Sequence, residues 1–237
     1  MTEARNLLIL FGGAPHDRTA SRFLKFLCEE FCDSGWLPQV VDPDELNLPI
    51  MTAPHDAYEP GTAPPALETV ARMIGKADAL VVACGEHNHG IPPSLKNLLD
   101  HFGGTTLRKP AAIATYSTSH CGGVRSALQL RMSLGELGMV TVPTTYAVPQ
   151  VSVSLSESGA PSDPKFLQEF ALFESDLRWW SDAASRNRST EMPDNVVDIL
   201  TLLDREDWAD ASGETAWFHT AAEPRKALRA QEVNSTC

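Results

Sequence analysis

The chain has 237 residues, 43% of them hydrophobic, with a formal net charge of −12 and an isoelectric point near 4.9. Such a chain can bury a sizeable core and suffices for one large domain or for a domain with an appendage. An acidic balance without any basic run excludes nucleic acid and anionic membranes as expected partners.

No apolar run approaches the roughly 18 residues that a membrane span needs. The run Leu7–Phe11 is too short for the core of a signal peptide. The five cysteines are odd in number, scattered and without zinc spacing, which predicts a reduced, cytoplasmic protein. Cys28 and Cys32 lie one helical turn apart beside Leu24 and Phe31 and read as core residues.

Taken in chain order, Leu7–Phe11 is a first buried strand, ending in the polar stretch Gly12–Ser21. A helix follows from Thr19 or Ala20 to Ser34, with Phe23, Leu24, Leu27, Cys28 and Phe31 inward, and Gly35 ends it. Leu37–Val41 is a second strand. Residues 51–65 hold several prolines and no periodicity and read as an irregular loop. A helix covers Ala66–Gly75, and Ala79–Cys84 is a Val-rich strand covered on both faces. After the polar turn Gly85–Gly90, Ser94–Phe102 is a helix with Leu95, Leu98, Leu99 and Phe102 on one stripe, more apolar than one core face needs. Pro110–Tyr116 is the fourth strand, Val124–Leu137 a helix closed by Gly138, Val140–Thr145 the fifth strand, and Lys165–Ala184 a last core helix.

Strands alternating with helices predict an α/β fold with a doubly wound, five-stranded parallel sheet. In the flavodoxin-like order 2-1-3-4-5 the switch point lies between strands 1 and 3, so the loops after strands 1, 3 and 4 crowd one edge. Those three loops are the ones that combine glycine with polar residues. The first suits an anion: a helix N-terminus presents unpaired N–H groups and partial positive charge. Gly12 and Gly13 allow close backbone approach, Thr19 and Ser21 offer hydroxyls, and Arg18 offers a charge-assisted fork. A plain N-cap role for Thr19 or Ser21 is the alternative.

The stretch GEHNHGIPPSLKNLLDHF, residues 85–102, resembles the P-E-Y-N-x-x-x-P-x-x-L-K-N-x-x-D segment of the NADPH-dependent FMN reductase family, which includes flavodoxin-like quinone, azo and chromate reductases. Glu86, Asn88, Pro92, Leu95, Lys96, Asn97 and Asp100 match; Gly85 replaces the family's Pro and His87 its Tyr. Asp42–Ile50 resembles the family's D-L-x-x-L-x-L-P link, and Ser117–Arg125 its S-x-G-x-x-G-G-x-R. In the first loop Gly12 and Arg18 fit, whereas Gly13 and Pro15 stand where the family has Ser and Arg, so two usual phosphate contacts are missing. The resemblance, over roughly residues 5–185, implies FMN as cofactor and NADPH or NADH as co-substrate. It implies that Glu86, His87 and Asn88 present backbone amides to the pyrimidine edge of the flavin, with the Asn88 side chain supporting the loop. Ser117, Ser119, His120, Gly122 and Gly123 would line the isoalloxazine ring. His87 and His120 are its expected ring neighbours, whereas His89 reads as a solvated histidine and Cys121 as a small loop residue. Arg125 belongs to the motif or is a surface charge.

The sequence holds no evident acid–base, paired-carboxylate or metal constellation, as expected where the cofactor carries the chemistry. The expected function is an NAD(P)H oxidoreductase passing hydride through flavin N5 to a quinone, free flavin or similar planar acceptor. A flavin-binding regulatory protein with little turnover and a one-electron carrier are the alternatives. The family implies a homodimer or homotetramer, with the helix after the second loop at the interface. The FMN-binding domain is expected over residues 1–186. Residues 187–237 form an extension with a short amphipathic helix at 194–203 and Trp208, Trp217 and Phe218, expected to dock on the core or a partner subunit.

Overall fold

The structure, a computed structural model, describes residues 5–13, 18–103, 106 and 108–188. The elements run β1 (Arg5–Gly12), α1 (Arg18–Asp33), β2 (Trp36–Val41), α2 (Pro43–Leu46), a 3₁₀ turn (His55–Ala57), α3 (Pro65–Lys76), β3 (Ala79–Gly85), α4 (Pro93–Asp100), β4 (Pro110–Tyr116), α5 (Val124–Glu136), β5 (Val140–Val148), α6 (Val151–Ser154) and α7 (Lys165–Arg188). All strand pairs are parallel and the order is β2-β1-β3-β4-β5, the flavodoxin-like topology.

Burial explains which strand sits where. Every residue of β3 and β4 is buried, and so are the last six of β1. Both faces of these central strands therefore need cover, and helices on both sides supply it. Side chains alternate between the faces: Leu7, Ile9 and Phe11 join one cluster with α1 and α7, while Leu8 and Leu10 join the other with α3, α4 and α5. Each fully buried Leu or Phe contributes about 1.5–3 kcal/mol of burial. The α1/α7 side is aromatic: Tyr146 stacks on Phe26 at 5.7 Å and meets Phe170 edge-on at 5.6 Å, and its hydroxyl donates to the Phe166 carbonyl.

The edge strands are only partly covered, with Leu37 and Val40 of β2 exposed. β5 carries Pro143, which a ladder tolerates at an edge, and its pairing with β4 shifts register between Ala111 and Ile113. Arg131 braces that irregularity by donating to the Val142 and Pro143 carbonyls and to the Thr141 and Thr145 hydroxyls.

Several expectations need correction. The 51–65 segment holds a 3₁₀ turn anchored where His55 N–H donates to the His101 carbonyl. β5 runs to Val148 and α7 to Arg188, and α2 and α6 are short helices that periodicity over so few residues does not reveal. Cys32 is exposed and Cys28 only half-buried, whereas Phe26 joins the inward face of α1. The apolar surplus expected on α4 does not exist: Leu95, Leu98, Leu99 and Phe102 are all buried within the subunit. They share one buried cluster with Leu80 and Val82 of β3 and with Leu67, Val70 and Ile74 of α3, so α4's stripe gives no support to an interface. The described residues up to Asn187 belong to one compact unit. The expected helix at 194–203 and the tryptophans beyond it lie outside the described residues.

Gly12 shows how closely α4 packs. A Cβ there would stand 2.7 Å from Leu95 Cβ and 3.2 Å from Cys84 Cβ. Gly12→Ala is therefore expected to destabilise the fold by about 1–3 kcal/mol through overpacking, read from urea unfolding. Combined with Leu95→Ala, its cost should be smaller than the sum of the two single costs, because the second change removes the atoms the first one strikes.

Candidate functional site at the carboxyl edge of the sheet

The loops after β1, β3 and β4 gather at the carboxyl ends of three adjacent strands. Gly12 and Gly13 are both buried. Their lack of a side chain serves internal packing: a Cβ on Gly13 would collide with the Phe11 ring at 2.3 Å, as one on Gly12 would with Leu95. Close approach is the reason for both glycines, but the groups approaching are Leu95 and Phe11. Residues 14–17 lie outside the described residues. α1 then begins at Arg18, its first turn has no acidic residue, Thr19 is half-buried and Ser21 exposed. An anion at this helix end would meet the N–H groups and partial positive charge of the helix.

The second loop is a tight reversal. His87 N–H donates to the Gly90 carbonyl at 3.0 Å and Gly90 N–H to the His87 carbonyl at 2.8 Å. Asn88 and His89 both have positive φ, 48° and 65°, as a type I′ turn requires, and Asn and His tolerate the left-handed region better than most residues. The His87 N–H is thus engaged inside the turn, a correction to the expectation that it faces a ligand. The His87, Asn88 and His89 side chains are exposed.

The Glu86 side chain has a role that the sequence reading did not assign. Its side chain is nearly buried, at 8% exposure, and points to the start of α5. Oε2 accepts from Arg125 N–H at 3.1 Å and Oε1 from Arg125 Nη1 at 2.8 Å. The carboxylate does for α5 what an N-cap side chain does, because Gly123, in the N-cap position, has none to offer. Its charge complements the helix N-terminus, and the hydrogen bond and negative charge of Glu86 raise the pKa of Arg125 above the ordinary guanidinium value. Arg125 is therefore an ion-pair partner across the two loops.

The third loop depends on two glycines with φ of 61° and 81°. A Cβ on Gly123 would lie 2.8 Å from Thr115 Cβ and 2.9 Å from the Tyr116 carbonyl oxygen. Buried Thr115 Oγ1 donates to the Gly122 carbonyl. Ser117 Oγ donates to the Ser119 carbonyl and lies 3.1 Å from Ser119 Oγ, while Cys121 N–H donates to Ser119 Oγ. Both serines thus shape the loop, while Thr118, Ser119 and His120 are exposed. Behind the loops, burial pushes the Cys84 thiol up to about 12, assisted by Glu86, so it remains protonated.

Two residues escaped the sequence reading. Ser126 Oγ donates to the Gly90 carbonyl at 2.7 Å, and Gln129 bonds both sides of the second loop. Polar residues in the first turns of a helix look like any solvated face, so no signal marked them. A cavity of about 340 Å³ beside α2 and α4 is lined by residues such as Asp44, Asn47, Ile50 and Asn97, not by the three loops.

The family model for NADPH-dependent FMN reductases matches residues 5–152, which span β1 to α6 and all three loops. The chain belongs to the NADPH-dependent FMN reductase family. FMN is accordingly its cofactor and NAD(P)H its reductant. No curated protein matches. Among solved structures, the chain is similar to the flavoenzyme NAD(P)H:(acceptor) oxidoreductase FerB from Paracoccus denitrificans, at 18% identity and a TM-score of 0.61 over 76% of this chain and 98% of that one. An oxidoreductase from Corynebacterium diphtheriae gives 18% identity and a TM-score of 0.57 over 77% and 99%. A putative quinone reductase from Klebsiella pneumoniae gives 13% and 0.52 over 74% and 84%. At these identities the likeness shows the fold.

The residues present fit FMN. The N–H groups at the start of α1 suit a phosphate, and the exposed imidazole, amide and hydroxyl groups of the other two loops suit the edges of a heteroaromatic ring. No described helix is long and apolar enough to cross a membrane.

The Glu86–Arg125 pair is asymmetric, with one partner nearly buried and the other 42% exposed. Arg125→Ala is expected to destabilise the fold, since it leaves a carboxylate in poor contact with water. Adding Glu86→Gln should recover part of that loss, because a neutral amide tolerates the site better. Urea unfolding of the two single variants and the double variant measures both effects.

Proposed function

We propose that this protein is an FMN-dependent oxidoreductase that takes hydride from NAD(P)H and delivers it to a quinone, a free flavin or a similar planar acceptor. The observation that carries this reading is the convergence of three loops at the carboxyl edge, beside the β1/β3 switch point, with the second and third tied together by the Glu86–Arg125 pair. Ligands of open α/β sheets bind in that place. Bound FMN supplies the hydride chemistry, and the protein supplies position and electrostatics.

In this reading the first turn of α1, with Arg18, Thr19 and Ser21, holds the phosphate. The turn Glu86–Asn88 faces the pyrimidine edge, with the His87 and Asn88 side chains toward the ring. Ser117, Ser119, His120, Gly122 and Gly123 form the wall on the other side. Glu86 contributes through its hold on α5, so its role is positioning. Because FMN lies at an open edge, the nicotinamide and the acceptor use the same exposed ring face in turn. The quinone assignment draws on the name of the Klebsiella pneumoniae neighbour and on the quinone reductases of the family that the sequence resembles.

The protein is expected to bind FMN and to lose the bound yellow colour on addition of NAD(P)H. Arg18→Ala should weaken FMN by about 1.5–3 kcal/mol, the scale of a hydrogen bond to a charged group, and leave riboflavin affinity unchanged. Fluorescence-quenching titrations with both flavins separate the cases: equal losses would move Arg18 away from the phosphate, and no binding of either flavin would overturn the function.

A further inference from the structure

The turn His87–Gly90 stores strain, since two consecutive non-glycine residues hold positive φ. It is also exposed, so its own two backbone hydrogen bonds compete with water. What holds it lies on α5. Gln129 Nε2 donates to the His89 carbonyl at 3.2 Å, and its Oε1 accepts from Ile91 N–H at the same distance. One amide therefore spans the turn's exit, bonding the backbone on both sides of Gly90. Gly90 leaves room for it: a Cβ there would stand 3.1 Å from Gln129 Oε1. One turn earlier on the same helix, Ser126 Oγ takes the Gly90 carbonyl, and Arg125 takes Glu86. α5 thus reads the second loop at residues 86, 89, 90 and 91, with Gln129 gripping the far side of the strained turn.

We propose that Gln129 is a positioning residue for the flavin: its side-chain amide holds the His87–Gly90 turn in the conformation that presents His87 and Asn88 to the ring. The inference rests on the FMN reading above and adds to it a residue on a helix outside the three loops. Gln129 itself is exposed and has no core contact to lose. Its replacement should therefore barely change global stability, as for surface sites generally. What it changes is the order of the turn before FMN arrives. An unrestrained turn must be ordered by the ligand, and that cost appears as weaker binding.

The test compares wild type with Gln129→Ala and Gln129→Met, the second keeping the side chain's length while removing both hydrogen bonds. Three quantities are measured on the full chain: amide hydrogen exchange at Ile91 without FMN, FMN affinity by fluorescence quenching, and the visible circular dichroism of bound FMN. Both variants should exchange Ile91 N–H faster, bind FMN about tenfold more weakly, the equivalent of about 1.4 kcal/mol, and show an altered flavin band, at a nearly unchanged thermal midpoint. If the Met variant behaves as wild type, packing rather than the amide matters and the proposal falls. It falls equally if exchange quickens while affinity and the flavin band stay as in wild type. Exchange of wild type with and without FMN separates this from the underlying reading. If bound FMN leaves residues 85–91 unprotected, the placement of the flavin is wrong. If it protects them and the variants bind normally, only the role of Gln129 is wrong.

Discussion

The central strands β3 and β4 have no residue exposed to solvent on either face. Strands buried in this way need cover on both sides, and parallel strands obtain it from the helices that connect them. The two hydrophobic clusters, one against α1 and α7 and the other against α3, α4 and α5, are that constraint made material. The helices consume the faces of the sheet, so chemistry is left to its edge. The connections that leave β1, β3 and β4 end up side by side because those strands are neighbours in the sheet.

Crowding alone would leave three independent loops. The second and third become one unit through α5, which starts in the third loop and lies against the second. The Glu86 carboxylate occupies the backbone N–H and guanidinium of Arg125, Ser126 holds Gly90, and Gln129 holds His89 and Ile91. The two left-handed glycines of the third loop permit this by letting the chain turn under the Tyr116 carbonyl, where any Cβ would collide. Membership of the NADPH-dependent FMN reductase family gives the protein its cofactor, FMN. The second loop is held by contacts from α5, so its geometry precedes the ligand, which lowers the ordering cost of binding.

The first loop is organised differently. Its glycines face inward, against Leu95 and Phe11, and serve the packing of α4 and α1 on β1. In the proposed reading, an anion at that end is met by the N-terminal turn of α1. This accounts for the departure from the family pattern at Gly13: a position that packs can drift from the pattern while a helix terminus still offers its N–H groups.

The sequence by itself determined the five strands, their order and the three loops that meet, because runs such as Ala79–Cys84 and Pro110–Tyr116 can be buried only in a doubly covered parallel sheet. It also marked Glu86, Asn88 and the glycines of the third loop, whose residue types are unusual enough at fixed spacing to be read. Three things were decided only by the tertiary structure. The leucines of α4 could not be assigned to core or interface, since an apolar stripe does not say what covers it. The direction of the Glu86 carboxylate, toward Arg125 39 positions later, depends on where β4 places α5. Ser126 and Gln129 acquired their roles from the same placement. A hydrogen bond between residues distant in the chain leaves no periodicity behind it; only the register of neighbouring strands, which fixes both of its ends in space, brings it into being.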